Sequence, residues 1–177
     1  MKKLTVLISL FLGIALQGYS QIEPSVDLMK FYTHQWEGAR DKGGRPLVSD
    51  ELLDRLLNLS IEEVWGALRN EGYRCQYEGG WQMLQPGESF VGRVVTAQYM
   101  PSRPDINDQI KKLGEKEGRI GSSNSWPIDM LKHRDVYVAD SYGKVENGTL
   151  IGDNLGNAIY SKSKTGVIFD EIGRAHV

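Results

Sequence analysis

Leu150-Ile151-Gly152-Asp153-Asn154-Leu155-Gly156-Asn157-Ala158 is the stretch whose reading decides the fold. It reads as a sharp glycine turn that opens directly into a helix. Gly152 can take a positive φ without steric cost, and Asp153 and Asn154 suit a helix start. Leu155, Ala158, Ile159 and Lys162 then follow at helical spacing. The first amides of such a helix lack intrahelical acceptors, and with the helix dipole they form a socket for a carboxylate or phosphate. Downstream, Gly166-Val167-Ile168-Phe169-Asp170 has the pattern of a short buried strand; upstream, so does Val136-Tyr137-Val138-Ala139. Strand, helix and strand in that order predict a parallel crossover, and ligands gather at the carboxyl ends of such strands. The chain after Asp170 is expected to return to the same edge as Gly152 and Asp153.

The rest of the sequence frames that unit. The 177 residues are 40% hydrophobic and 25% charged, an ordinary balance for one globular domain. Met1-Lys2-Lys3, the apolar run over residues 4–16 and Gln17-Gly18-Tyr19-Ser20 read as a secretory signal peptide cut after Ser20. The run is shorter than the roughly 20 residues that a membrane span needs, so stable membrane insertion after signal removal is not expected. Export, periplasmic or secreted, is the expected destination. Loss of Lys2 and Lys3 moves the formal charge from −2 to −4, which gives no sign of nucleic-acid binding. Cys75 is the only cysteine, so no internal disulfide or cysteine metal cluster can form.

Residues 21–48 read as a lead-in with an amphipathic turn or two around Val26, Met29, Phe31 and Trp36. Arg40-Asp41-Lys42-Gly43-Gly44-Arg45-Pro46 reads as a charged, glycine-rich break. Leu52, Leu53, Leu56 and Leu57 fall on one face of a helix capped by Ser49 or Asp50. Ser60 with Glu63 forms a capping box for a second helix, with Val64 and Leu68 toward the core. Strand texture is expected at Trp81-Gln82-Met83-Leu84 and again over residues 89–99, where Gly92 marks a bulge or a close backbone approach. Residues 106–125 read as a polar surface insertion with a helical patch around Ile110 and Leu113. A short helix with Pro127 at its start runs over residues 126–132. Asp140 reads as turn chemistry and Arg93 as structural, and neither His34 nor His133 has ligand spacing. Asn58 and Asn147 stand in glycosylation sequons that a bacterial-looking signal leaves unused.

Gly92-Arg93-Val94-Val95-Thr96-Ala97, Asp135-Val136-Tyr137-Val138-Ala139-Asp140, Gly152-Asp153-Asn154-Leu155 and Gly166-Val167-Ile168-Phe169-Asp170 occur in an order that resembles the RraA-like family. That family includes the regulator of ribonuclease activity A and the 4-hydroxy-4-methyl-2-oxoglutarate aldolases. The resemblance runs from about Leu59 to Asp170. It implies an α/β fold, a swivelling β/β/α domain over residues 49–170, usually assembled as a homotrimer or a multiple of one. Its most specific element is an aspartate, a gap of twenty residues, then an arginine–aspartate pair. Asp153 matches the first position and Arg174 the arginine, whereas Ala175 stands where the pattern has its second aspartate.

The activity implied is that of a pyruvate-releasing lyase acting on a small 2-oxo acid, of the aldolase type or a related oxaloacetate decarboxylase. A divalent metal, Mg2+ or another, would stabilise the enolate as a Lewis acid. Asp153 and Arg174 are the implied catalytic residues, with Asp153 also reaching the metal through water. The backbone of Gly152, Asn154 and Leu155 would hold the substrate carboxylate. Ala175 stands in place of the family's main metal aspartate, so the metal is expected for the full-length parent and this copy is expected to be impaired by truncation. Glu171-Ile172-Gly173-Arg174-Ala175-His176-Val177 reads as a non-native tail, a sequencing adapter translated in frame, so that the domain is incomplete at its C-terminus and Arg174 holds its register by coincidence. The alternative function is a non-catalytic, RraA-like binding or regulatory protein, against which the signal peptide weighs. No glycine-rich cofactor loop follows an early strand, so nothing supports a methyltransferase.

Overall fold

A computed structural model describes residues 22–143 and 151–170. The signal segment, Asn147, Arg174, Ala175 and the tail over residues 171–177 lie outside the described residues. Among the described residues, six helices and three strands form a mixed α/β fold around one small parallel sheet. In chain order these are α1 (Val26–Tyr32), α2 (Asp50–Leu57), α3 (Ile61–Asn70), β1 (Arg93–Gln98), α4 (Pro104–Lys116), α5 (Trp126–Asp129), β2 (Asp135–Asp140), α6 (Asp153–Ser163) and β3 (Val167–Asp170).

The expected crossover is present. β2 pairs in parallel with β3, Tyr137 opposite Val167 and Asp140 opposite Asp170, and α6 connects them. β1 flanks β2 on its other side, also in parallel, with Arg93 opposite Asp135 and Gln98 opposite Asp140. Side chains alternate across the sheet, so Val95, Tyr137 and Ala139 share one face. There they pack with Ile128 and Leu131 from the α5 region and Ile159 from α6. Along β1 the other face, carrying Val94, Thr96 and Gln98, is exposed. Close strand packing at the start of β1 depends on Gly92: a Cβ there would lie 2.6 Å from the Arg134 carbonyl oxygen and 2.7 Å from Val136 Cγ2.

Several expectations need correction. Trp81-Gln82-Met83-Leu84 is irregular, and residues 71–90 are exposed throughout. Strand propensity there finds no neighbouring strand to satisfy the backbone. The strand expected over residues 89–99 is confined to β1, where β2 supplies the partner. The insertion over residues 106–125 opens with a thirteen-residue helix, α4, whose buried Gly114 lies under the Trp126 ring. The helix expected over residues 126–132 is the single turn of α5.

In α2, Ser49 caps the helix and Leu53 alone is buried, while Leu52 and Leu57 stay exposed. The Ser60–Glu63 capping box forms, and Val64 and Leu68 are only half-buried. The break at Arg40–Pro46 is an ordered closed loop. Arg40 and Pro46 form an antiparallel bridge, and Asp41 Oδ1 accepts hydrogen bonds from the Gly43 and Arg45 amides. Among the described residues, no helix is long and apolar enough to cross a membrane.

Candidate anion site at the carboxyl edge of the sheet

The parallel register brings Gln98, Asp140 and Asp170 abreast at the carboxyl edge. Asp140 is engaged on both oxygens. Its Oδ1 accepts from the Tyr142 amide at 2.8 Å and its Oδ2 from Gln98 Nε2 at 3.3 Å. The first of these is the side-chain turn expected of an aspartate leaving a strand. The ladder continues one residue further: the Tyr99 amide donates to the Asp140 carbonyl at 2.9 Å and the Ser141 amide to the Asp170 carbonyl at 3.3 Å.

α6 begins at this edge. Gly152 is its N-cap and offers no side-chain oxygen, and the first helical bond runs from the Gly156 amide to the Gly152 carbonyl at 2.9 Å. The amides of Asp153, Asn154 and Leu155 precede that bond and have no acceptor within the helix. Gly152 is extended, at φ −108° and ψ −173°, and a Cβ there would meet nothing within 4 Å. The positive φ expected of it is therefore not used. What glycine contributes is a helix start left open by the lack of a capping side chain.

Gly152, Asp153 and Asn154 are exposed on this rim. Leu155 is half-buried and packs against the core cluster together with Ile151 and Ala158. Its side chain anchors the first turn of α6 to the sheet, so only its amide is available to a ligand. Lys162, two turns on, reaches Asp129 Oδ1 at 2.9 Å and ties the far part of α6 to α5. His34 Nδ1 donates to the Phe31 carbonyl at 3.2 Å, and exposed His133 lies 3.9 Å from Asp50, so both histidines are engaged away from this edge.

The opposite edge holds the strongest electrostatic feature of the described residues. Asp135, fully buried, accepts from both Arg45 guanidinium nitrogens at 3.1 Å, from Arg93 Nε at 3.4 Å and from the Lys132 amide at 2.8 Å. Arg93 also donates to Asp50 Oδ1 at 2.7 Å and to the Val48 carbonyl at 2.8 Å. The Arg93 hydrogen bond holds the Asp50 carboxyl below its ordinary range. This network is structural: every charge faces a fixed partner, and it fastens the segment before α2 onto the sheet. The role expected for Arg93 matches. Asp135 and Arg45 were missed, because ninety residues separate them and no local pattern announces the contact.

Beneath the carboxyl edge, the Tyr99 and Tyr137 hydroxyls meet at 2.8 Å. Burial, reinforced by the Tyr99 hydroxyl, pushes Tyr137 above its ordinary range, so it stays neutral and serves as packing. Comparison of the chain with protein-family models, with curated proteins and with solved structures found no match.

Proposed function

We propose that the carboxyl edge is the 2-oxo-acid site of a pyruvate-releasing lyase, on an RraA-like swivelling β/β/α domain of the 4-hydroxy-4-methyl-2-oxoglutarate aldolase type. One observation carries this reading: the uncapped start of α6 and the exposed Asp153 lie at the carboxyl edge of a parallel strand–helix–strand unit. The amides of Asp153, Asn154 and Leu155 supply fixed donors for a substrate carboxylate, stabilised further by the helix dipole. In retro-aldol cleavage the hydroxyl on the β-carbon loses its proton and becomes a carbonyl as the adjacent carbon–carbon bond breaks, the bond's electron pair forms the pyruvate enolate, and that enolate is protonated on carbon to give pyruvate. Asp153 sits within one residue of the anion donors and is the carboxylate placed to accept or orient the hydroxyl proton. Arg174 falls in the register of the family's arginine, the fork for substrate oxygens, but it belongs to the tail read above as non-native, so that role passes to the parent sequence.

Magnesium takes several waters and one or two carboxylates. Among the described residues no group of three or more His, Cys, Asp or Glu side chains converges, and both Asp140 oxygens are already engaged. Among the described residues Asp153 and Asp170 are the exposed carboxylates at this edge, and Ala175 stands at the position of the family's main metal aspartate. Loss of that aspartate supports reading this chain as an impaired copy of a magnesium-dependent parent. That same alanine favours the second reading, a non-catalytic RraA-like binding protein. Assembly as a homotrimer or a multiple, and export behind the basic and apolar start of the chain, belong to the same proposal.

The test is pyruvate release from 4-hydroxy-4-methyl-2-oxoglutarate and from oxaloacetate, followed with lactate dehydrogenase at saturating magnesium. Slow release is expected, abolished by Asp153→Ala and raised by Ala175→Asp. A rate unchanged by Asp153→Ala contradicts the lyase; no release from either substrate, even with Ala175→Asp, leaves the binding protein.

A further inference from the structure

Ser141 follows β2 directly, and its amide keeps it in the ladder. Alternation along the strand puts its side chain on the face of Tyr137 and Ala139, the face that α6 covers. Ile151 and Leu155, on either side of the start of α6, pack against the core cluster to which Tyr137 and Ala139 belong. Ser141 is 4% exposed, and its Oγ has no hydrogen-bond partner among the described residues. A buried hydroxyl normally finds a partner, and leaving one unmade is unfavourable. At the same edge, three helix-start amides have no acceptor within the helix and no capping side chain. A buried hydroxyl at the end of β2 and the amides at the start of α6, both at the carboxyl edge of the sheet, are complementary to the same thing, a small anion.

We propose that Ser141 is a binding residue of the anion site: its hydroxyl donates to the carboxylate of a 2-oxo acid seated on the amides of Asp153, Asn154 and Leu155. This rests on the assignment of that edge as the 2-oxo-acid site. The hydroxyl is then a group held unsatisfied in the empty protein so that it can be satisfied by the ligand, a local loss of stability traded for binding.

The experiment measures oxalate binding by titration calorimetry without metal, and thermal unfolding, for the full chain and for Ser141→Ala. Inorganic phosphate is titrated in parallel. The variant should bind oxalate about tenfold more weakly, as expected for loss of one hydrogen bond to a charged group. In the absence of ligand it should melt higher than the parent, by about 3 °C, because the unpaired hydroxyl is gone. Ser141→Cys, nearly the same shape but a poor donor, should lose affinity as Ser141→Ala does.

Unchanged oxalate affinity in both variants overturns the role of Ser141 and leaves the lyase reading standing. A lower melting temperature for Ser141→Ala also overturns it, because the hydroxyl would then be partnered within the fold. Tighter binding of phosphate than oxalate overturns the carboxylate assignment. Normal oxalate binding weakened by Ser141→Ala, without any pyruvate release, upholds Ser141 and removes the lyase alone. A parent chain that binds no oxalate removes both.

Discussion

Asp135 shows how much a single residue organises. A carboxylate with no exposure to water is tolerable only if it is paired and hydrogen-bonded, and Arg45, Arg93 and the Lys132 amide supply those bonds. Asp135→Ala leaves two arginines facing a cavity and frees the loop over residues 40–46 from the sheet. Such a break should destabilise the chain by about 3–5 kcal/mol in urea unfolding, the range for removing one partner of a buried pair. A loss below about 1 kcal/mol would place the network with surface ion pairs instead. At this scale the sequence was only partly legible. Ser49, Ser60 with Glu63, and Asp140 announce their hydrogen bonds because the partners lie two or three residues away. The Arg45–Asp135 pair closes across ninety residues and leaves no local trace.

At the scale of elements, β2, α6 and β3 were readable because hydrophobic pattern, glycine punctuation and burial agree there. Val136 to Ala139 lies in the centre of the sheet, and Ile159 faces it from α6. Trp81 to Leu84 misled, since aromatic and apolar residues make a strand only where another strand pairs with them. The full length of α4 is hidden in the sequence, because its polar, lysine-rich face masks a helix that packs through Gly114 and the Trp126 ring. Gly92 gave a sound signal: its place inside an otherwise β-branched run marks a close approach, and the Arg134 carbonyl and Val136 occupy the space a Cβ would need. Gly92→Ala should therefore strain the start of β1, at a cost of about 1–3 kcal/mol in thermal or urea unfolding. A neutral or stabilising effect would mean that β1 can shift relative to β2 without loss.

For the whole molecule, the parallel topology decides where chemistry can occur. Three strands running the same way give two unlike edges. One edge is closed by arginine–aspartate pairs, and the other holds an uncapped helix start, the exposed Asp153 and a Ser141 hydroxyl that has no hydrogen-bond partner among the described residues. The location of this second edge was legible from the order strand, helix, strand. Its detail was not: the conformation of Gly152, the inward turn of Leu155 and the buried hydroxyl of Ser141 depend on how α6 docks, which spacing alone does not encode.

The measurement that bears most directly on this account is an amide NMR titration of the 15N-labelled chain with oxalate. The account predicts saturable shifts concentrated at Asp153, Asn154, Leu155 and Ser141, with Asp135, Arg45 and α3 unmoved. Shifts elsewhere, or none at the start of α6 at any oxalate concentration, would contradict it.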